Sequence, residues 1–289
     1  TVQGSLLTLK VEGLLGGHSG QDIDKERQNA DLLMARMIQR LLKETKGQLV
    51  SFNGGTKDNA IPRECEASLI YESDEEAAKA EELACELAET YAEELTPAEP
   101  DFSCEISCET NRTAEAIPQD AAKEFICAMR LAPNGIQKRN IKMDGFVVVS
   151  LNLGVVRTEE DRIVMIFSPR SSVASLQEDT KERLNTLAET FGFTVSHSSE
   201  YPGWSFKEDS PVREICKESY KELFGEDLKI EAIHAGLECG LFSDAIKGLD
   251  AIAIGPTIAN CHTPDEYLTL DSFERFYEFL KDILSRLAK

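Results

Sequence analysis

A change in the pattern of predicted strands and helices near residue 199 most constrains how this chain can fold. Before it, alternating apolar segments come in pairs around turn sequences, as in antiparallel hairpins. After it, single strands alternate with helices, which is typical of parallel α/β architecture. The roughly ninety residues beyond it carry only two predicted strands, 228–233 and 249–254. Two strands do not close a sheet domain alone. We therefore interpret residues 200–289 as the C-terminal part of an α/β domain whose N-terminal part is absent.

Residues 1–199 predict a separate α+β domain, an antiparallel sheet with helices covering one face. Apolar alternation and turn residues place the strands at 6–15, 48–52, 60–71, 102–108, 145–157, 162–168 and 193–198. Helical spacing of apolar residues predicts helices at 22–45, 74–94, 118–129 and 176–191. In the C-terminal part, the helices are expected at 211–224, 238–245 and 272–287.

Charge and cysteine usage exclude several classes of protein. The formal net charge is −21, which disfavours nucleic acid and anionic membranes as partners. No apolar run is long enough to span a bilayer, and no signal segment stands at the front. The eight cysteines form no CxxC pair, which favours free thiols in a reducing cytoplasm over disulfides or a structural zinc site. Residue 1 is Thr and residues 5–12 already alternate like a strand, so we expect the chain to start inside a fold.

Three histidines stand in glycine-rich or loop sequences, namely His18, His234 and His262. His262 follows the second predicted C-terminal strand, at the strand end where open α/β sheets bind ligands. It could bind zinc, with a following carboxylate orienting the ring. It could equally be a turn residue, with Asp265 and Glu266 opening the final helix. The spacing alone leaves both interpretations open.

Two charged residues have the same double interpretation. Glu238 stands at a glycine-rich turn into a helix, where it could contact a ligand or simply stabilise the helix N-terminus. Arg170 ends an apolar strand and could bind a carboxylate through its guanidinium. In a chain this acidic, a surface ion pair is the plainer alternative. The sequence contains no P-loop, GxGxxG after a strand, GxSxG or HExxH motif.

Taken together, several segments resemble the aminoacyl-histidine dipeptidases, the Xaa-His or carnosinase-like branch of the di-zinc aminoacylase/carboxypeptidase superfamily. The matching segments run in family order across nearly the whole chain. They are GLLGGHSG at 13–20, DNAIPR at 58–63, SPRSSV at 168–173, YPGW at 201–204, IHAGLECGL at 233–241, GPTI at 255–258, His262 and PDE at 264–266.

The resemblance implies a catalytic α/β domain interrupted by a lid domain, with this chain covering the lid (1–199) and the returning catalytic part (200–289). It implies two zinc ions per active site, of whose ligands only His262 is matched here. It makes His18 the lid histidine that polarises the scissile carbonyl, often across a homodimer. Arg170 would clamp the terminal carboxylate of a dipeptide substrate. Asn59, Gly236 and Glu238 match further substrate-binding positions.

The expected function is therefore metal-dependent hydrolysis of dipeptides, with Xaa-His dipeptides favoured, by the full-length cytoplasmic protein. Because one histidine cannot hold two zinc ions tightly, we expect this chain alone to be inactive. One alternative is a non-catalytic lid and dimerisation fragment. The other is an amidohydrolase of the same superfamily that acts on N-acyl amino acids.

Overall fold

The computed structural model describes residues 1–141, 145–198, 204, 207–231, 238–259 and 266–288. The chain divides into two compact units, Thr1–Ser199 and Glu200–Lys289. None of the helices in the described ranges is both long enough and apolar enough to cross a membrane.

The first unit is built on an antiparallel sheet. Its strands are β1 (Val2–Glu12), β2 (Gly17–His18), β3 (Gln48–Gly54), β4 (Ala60–Ile61), β5 (Cys65–Tyr71), β6 (Ser103–Ala114), β7 (Gly135–Asn140), β8 (Phe146–Thr158) and β9 (Ile163–Ser171). Seven of them form one sheet in the order β6-β1-β5-β3-β8-β7, with β9 also paired to β8. The short strands β2 and β4 pair separately with each other. All these pairs are antiparallel, as expected for this part of the chain.

Four helices accompany the sheet: α1 (Ala30–Glu44), α2 (Asp74–Leu95), α3 (Gln119–Leu131) and α4 (Ala174–Phe191). Alternate residues of β1, Leu7, Leu9 and Val11, are fully buried against apolar residues of α1, α2 and α3 in one core. The intervening residues of β1 are only half-buried, which is the pattern of a sheet with one covered face. α4 packs beside α3 and against β9.

The second unit contains α5 (Pro211–Phe224), α6 (Glu238–Ala245) and α7 (Leu270–Leu287), and a two-stranded antiparallel pair, β10 (Ile258–Ala259) with β11 (Tyr267–Leu268). Its small core joins α5 to α7 through Cys216, Phe279 and Ile283. The Ser219 hydroxyl donates a hydrogen bond to the Asp282 carboxylate at 2.7 Å and links the same two helices.

Three predicted strands are wrong in their described parts. Residues 193–198 are irregular. The Phe193 N–H, just past the end of α4, donates to the Ala188 carbonyl and caps the helix, next to Gly192 in the left-handed conformation. Residues 228–231 and 249–254 are also irregular. A strand needs a paired neighbour, and none pairs with these segments within the described ranges. The parallel sheet expected in this unit is therefore not observed among the described residues.

Two further differences concern the first unit. The helix expected from residue 22 begins only at Ala30, after a 3-10 turn at Ile23–Lys25. The Asn29 side chain accepts from the N–H groups of Asp31 and Leu32 and so fixes the start of α1. The strand β7 was not predicted, because its sequence GIQKRN is polar, which suits its place at the sheet edge.

Candidate active site

His18 lies in β2, in a loop whose backbone conformation depends on glycine. Gly16 and Gly17 have φ angles of +59° and +134°, and side chains rarely adopt such values. A Cβ on Gly17 would lie 2.7 Å from both the Arg27 guanidinium and the Asp22 carboxylate. The two glycines that precede His18 are therefore required by the backbone conformation and close packing of this loop.

Hydrogen bonds to His18 define its tautomer. The N–H groups of Gly20 and Gln21 both donate to its Nδ1, at 3.1 and 3.0 Å. A nitrogen that accepts two hydrogen bonds carries no proton, so the neutral ring is protonated at Nε2. An Nε2–H group can donate to a carbonyl oxygen and stabilise negative charge developing there.

Asp22 holds the backbone of the same loop. Its carboxylate accepts from the His18 N–H at 2.8 Å and from the Lys25 ammonium at 2.6 Å. Partial burial acts to raise the pKa of Asp22, but these two hydrogen bonds outweigh it and lower that pKa. Asp22 is therefore ionised around neutral pH.

Glu99 secures the two ends of the His18 loop. This buried carboxylate accepts from the Leu15 N–H at 2.7 Å and from the Gln28 N–H at 2.9 Å. One side chain thus clamps the backbone just before and well after His18.

Asn59 is in a turn that contacts the His18 loop directly. Its carbonyl accepts from the Ser19 N–H at 2.8 Å, and the next residue, Ala60, pairs with His18 across β2 and β4. On its other side, the turn is held by Asn152 of β8, whose amide donates to the carbonyls of Asp58 and Ala60.

Arg170 reaches the same place from β9. Its Nε donates to the hydroxyl of the fully buried Ser19 at 3.3 Å. Burial lowers the pKa of Arg170, and the nearby Asp58 opposes this shift; an arginine remains cationic regardless. No carboxylate lies within ion-pair distance of Arg170 in the described part of the chain, so the plainer alternative of a surface ion pair is not observed.

The structure therefore brings three of the predicted site residues together, with Ser19 between Asn59 and Arg170 and beside His18. Glu238 opens α6 in the second unit, where it is exposed. His262 and Gly236 lie outside the described residues. Sequence reasoning missed Ser19, Glu99 and Asn152; the only available signal was that Ser19 and Asn152 belong to the segments GGHSG (16–20) and SLNLG (150–154), each within two residues of a glycine.

The described residues contain no group of three or more His, Cys, Asp or Glu side chains that could hold a metal ion. They therefore do not fit the predicted di-zinc site on their own. The arrangement that they do provide is a hydrogen-bond donor, His18, near an arginine with no acidic partner.

Comparisons with known proteins show the family of the chain. The sequence profile of peptidase family M20/M25/M40 matches residues 37–286. The chain belongs to peptidase family M20/M25/M40. This M20 chain is 33% identical over 283 residues to the cytosol non-specific dipeptidase of Escherichia coli (strain K12). Its fold is similar to that of an aminoacylhistidine dipeptidase from Vibrio alginolyticus, with a TM-score of 0.85 and 31% identity.

These relatives are longer than the M20 chain. The match covers 96% of the chain but 57% of the E. coli dipeptidase, and 99% of the chain but 62% of the Vibrio structure. The chain thus spans about three fifths of the length of these relatives.

Proposed function

We propose that this M20 chain is part of a metal-dependent dipeptidase that hydrolyses Xaa-His dipeptides in the cytoplasm. The observation that carries the proposal is that Arg170, which has no acidic partner among the described residues, bonds to Ser19, the residue next to His18. A dipeptide carries a scissile carbonyl close to its terminal carboxylate. A neutral imidazole N–H and a guanidinium suit these two groups respectively. The names of the two relatives support the same reaction class.

In this proposal the site residues of the chain have roles that can be stated without the zinc ions. Arg170 binds the terminal carboxylate and fixes the length of the substrate. The His18 Nε2–H donates to the carbonyl oxygen as negative charge develops on it. The Asn59 turn holds the loop that carries His18 and contacts substrate. Glu238 is assigned to the substrate's amino group, and the Gly236 backbone is assigned to the lining of the pocket.

We further propose two zinc ions in the full-length protein, with His262 as one ligand. The remaining zinc ligands would lie in a segment that corresponds to the part of the longer relatives that this chain does not span. The same segment would form the rest of the catalytic domain, which residues 200–289 complete. Residues 1–199 would form the lid, through which the protein dimerises. Zinc would supply an activated water and polarise the carbonyl.

A substrate panel on the full-length protein tests the reaction class. We expect hydrolysis of Xaa-His dipeptides, loss of activity with a chelator and recovery with zinc. Efficient hydrolysis of N-acetyl amino acids, with no turnover of dipeptides, would instead identify an amidohydrolase of the same family.

Zinc-binding and activity assays on the 289-residue chain alone test the proposed division of the site, and so bear on whether this part is a non-catalytic lid and dimerisation module. We expect it to bind zinc weakly and to leave dipeptides intact, because the family resemblance matches only one zinc ligand in it, His262, and a catalytic zinc ion needs about three protein ligands. Zinc-dependent turnover by this chain alone would contradict the proposed division of the site. Intact-mass measurement of the native protein would show whether the remaining segment is present.

A further inference from the structure

Asn152 is a buried polar residue that none of the sequence motifs includes. It lies in β8, is 1% exposed, and donates from Nδ2 to two backbone carbonyls, Asp58 at 3.2 Å and Ala60 at 2.8 Å. Both acceptors are carbonyls, so the amide nitrogen must face the turn. The Oδ1 atom on its other side has no hydrogen-bond partner within the described residues. The Asn152 amide thus donates two hydrogen bonds to the turn, and its buried oxygen accepts none from the described residues, which costs free energy.

The two carbonyls flank Asn59. A glycine in the same strand lets the turn approach β8, since a Cβ on Gly154 would lie 2.5 Å from the Asp58 carbonyl oxygen. The turn therefore rests on β8 at two points, one polar and one steric. The only regular element next to Asn59 in the described chain is the two-residue strand β4.

The Asn59 turn also contacts the candidate active site. The Asn59 carbonyl accepts from the Ser19 N–H at 2.8 Å, and Ser19 accepts from Arg170 at 3.3 Å. Arg170 pairs with Ser150, two residues before Asn152 in β8. The strand β8 thus positions the His18 loop through Asn152 and sits beside Arg170 through the β8–β9 ladder.

We propose that Asn152 is the positioning residue that sets the Asn59 turn and, through it, the His18 loop for substrate. It touches no substrate itself. The inference rests on the proposed function for its effect on catalysis, but not for its effect on the turn. If the Asn152 amide is lost, the Ser19 N–H loses its fixed acceptor and His18 loses its register with Ala60.

The test uses Asn152→Asp in the full-length protein, since this change keeps the shape and removes the donor. Asn29→Asp is the matched control: Asn29 is equally buried and donates to the Leu153 carbonyl at 2.8 Å, but an aspartate there keeps the helix cap and leaves the turn untouched. Asn152→Ser provides a second variant if the aspartate does not fold.

Hydrogen exchange at the Ser19 amide gives a readout that is independent of activity. We expect exchange at Ser19 to accelerate at least roughly tenfold in the Asn152 variants, while amides of β1 and β5 keep their protection. In Asn29→Asp, Ser19 should exchange as in the wild type. Unchanged exchange at Ser19 in folded Asn152 variants would overturn the inference, whether or not the wild type is a dipeptidase.

Kinetics then test the catalytic consequence. In a wild type that hydrolyses dipeptides, we expect the Asn152 variants to lose roughly 10- to 100-fold in kcat with a smaller change in KM, because a misplaced donor weakens mainly the transition state. Asn29→Asp should keep both constants at a temperature where it is folded. Faster exchange at Ser19 with unchanged kcat would reject the positioning role. A wild type without dipeptidase activity would refute the proposed function alone and leave exchange to decide the inference.

Discussion

At the scale of single residues, the lack of an acidic partner for Arg170 among the described residues has a direct consequence for substrate recognition. A partly buried guanidinium with no acidic partner in the described chain is available to a ligand carboxylate. We expect Arg170→Met to raise KM for dipeptides by roughly 10- to 100-fold, since a hydrogen bond to a charged group contributes about 1.5–3 kcal/mol. The KM for the matching dipeptide amides should change little, because they lack the carboxylate.

Arg157→Met provides a control for this prediction. Arg157 is an exposed arginine of β8 that pairs with Glu159 at 2.9 Å. Its removal should leave both substrates unaffected. Equal losses with the dipeptide and its amide would show that Arg170 acts on the fold and not on the carboxylate.

Asp31 is a buried residue outside the candidate active site, and its ionisation affects the free energy of unfolding. It is fully buried in α1, and neither carboxylate oxygen has a hydrogen-bond partner among the described residues. Burial raises the pKa of Asp31 to about 7, and the adjacent Cys65 thiol offsets only part of this. Gly54 makes room for the carboxylate, since a Cβ there would overlap its Oδ1.

The sign of the pH effect follows from the raised pKa. The folded protein binds the Asp31 proton more tightly than the unfolded chain, so this stabilisation is present at low pH and is lost as pH rises through about 7. We expect Asp31→Asn to raise the free energy of unfolding at pH 8 by an amount on the order of 4 kcal/mol, and by little at pH 4. Denaturant unfolding at a series of pH values measures it, with the exposed Asp120→Asn in α3 as the control. A pH-independent difference would contradict this assignment.

At the scale of secondary-structure elements, the second unit depends on the contact between α5 and α7. Phe279 is 5% exposed and its ring packs edge-on against Tyr220, with centroids 5.2 Å apart. We expect Phe279→Ala to destabilise this unit by about 3–5 kcal/mol, the usual range for a buried phenylalanine. Phe273→Ala on the same helix, 47% exposed, should change stability by less than about 0.5 kcal/mol.

Hydrogen exchange localises this effect. Amides of α5 and α7 should lose protection in Phe279→Ala, while those of β1 and β5 in the first unit should not. Loss of protection spread evenly over both units would show that the chain unfolds as one cooperative body.

Elements were easier to predict than the contacts between them. The helix α5 was predicted at its observed bounds and α2 within one residue at its end, because apolar spacing and the local caps Ser210, Gly225 and Ser73 determine them. The irregular segments at 228–231 and 249–254 carry the apolar residues of strands, but strand formation depends on a partner that the local sequence does not contain. Similarly, Glu99 and Asn152 bond to groups 71 to 94 residues away, and no local pattern reports such contacts. Glycines mark the His18 loop and a strand end marks Arg170 locally, but only the family resemblance implies their roles in a site, and these stay predictions.

At the scale of the whole molecule, the charge distribution sets how the fold responds to salt. The chain has 52 acidic and 31 basic residues. Most ion pairs in the described ranges have at least one exposed partner, and in some both are exposed, such as Arg112 with Glu109 and Lys217 with Glu214. Exposed pairs contribute little, typically 0–1 kcal/mol each, while the excess of negative charge acts over the entire surface.

We therefore expect sodium chloride to stabilise the fold. Raising its concentration from about 10 mM to about 150 mM shortens the Debye length from about 30 Å to about 8 Å, which screens the long-range repulsion more than the close pairs. The Tm should rise by a few degrees over this range. Potassium chloride should act equally, since both salts screen alike, and an uncharged osmolyte at matched osmolarity should reproduce little of the shift. A fall in Tm would mean that attraction within the exposed pairs outweighs the repulsion of the net charge, and that the acidic surface is organised into stabilising networks.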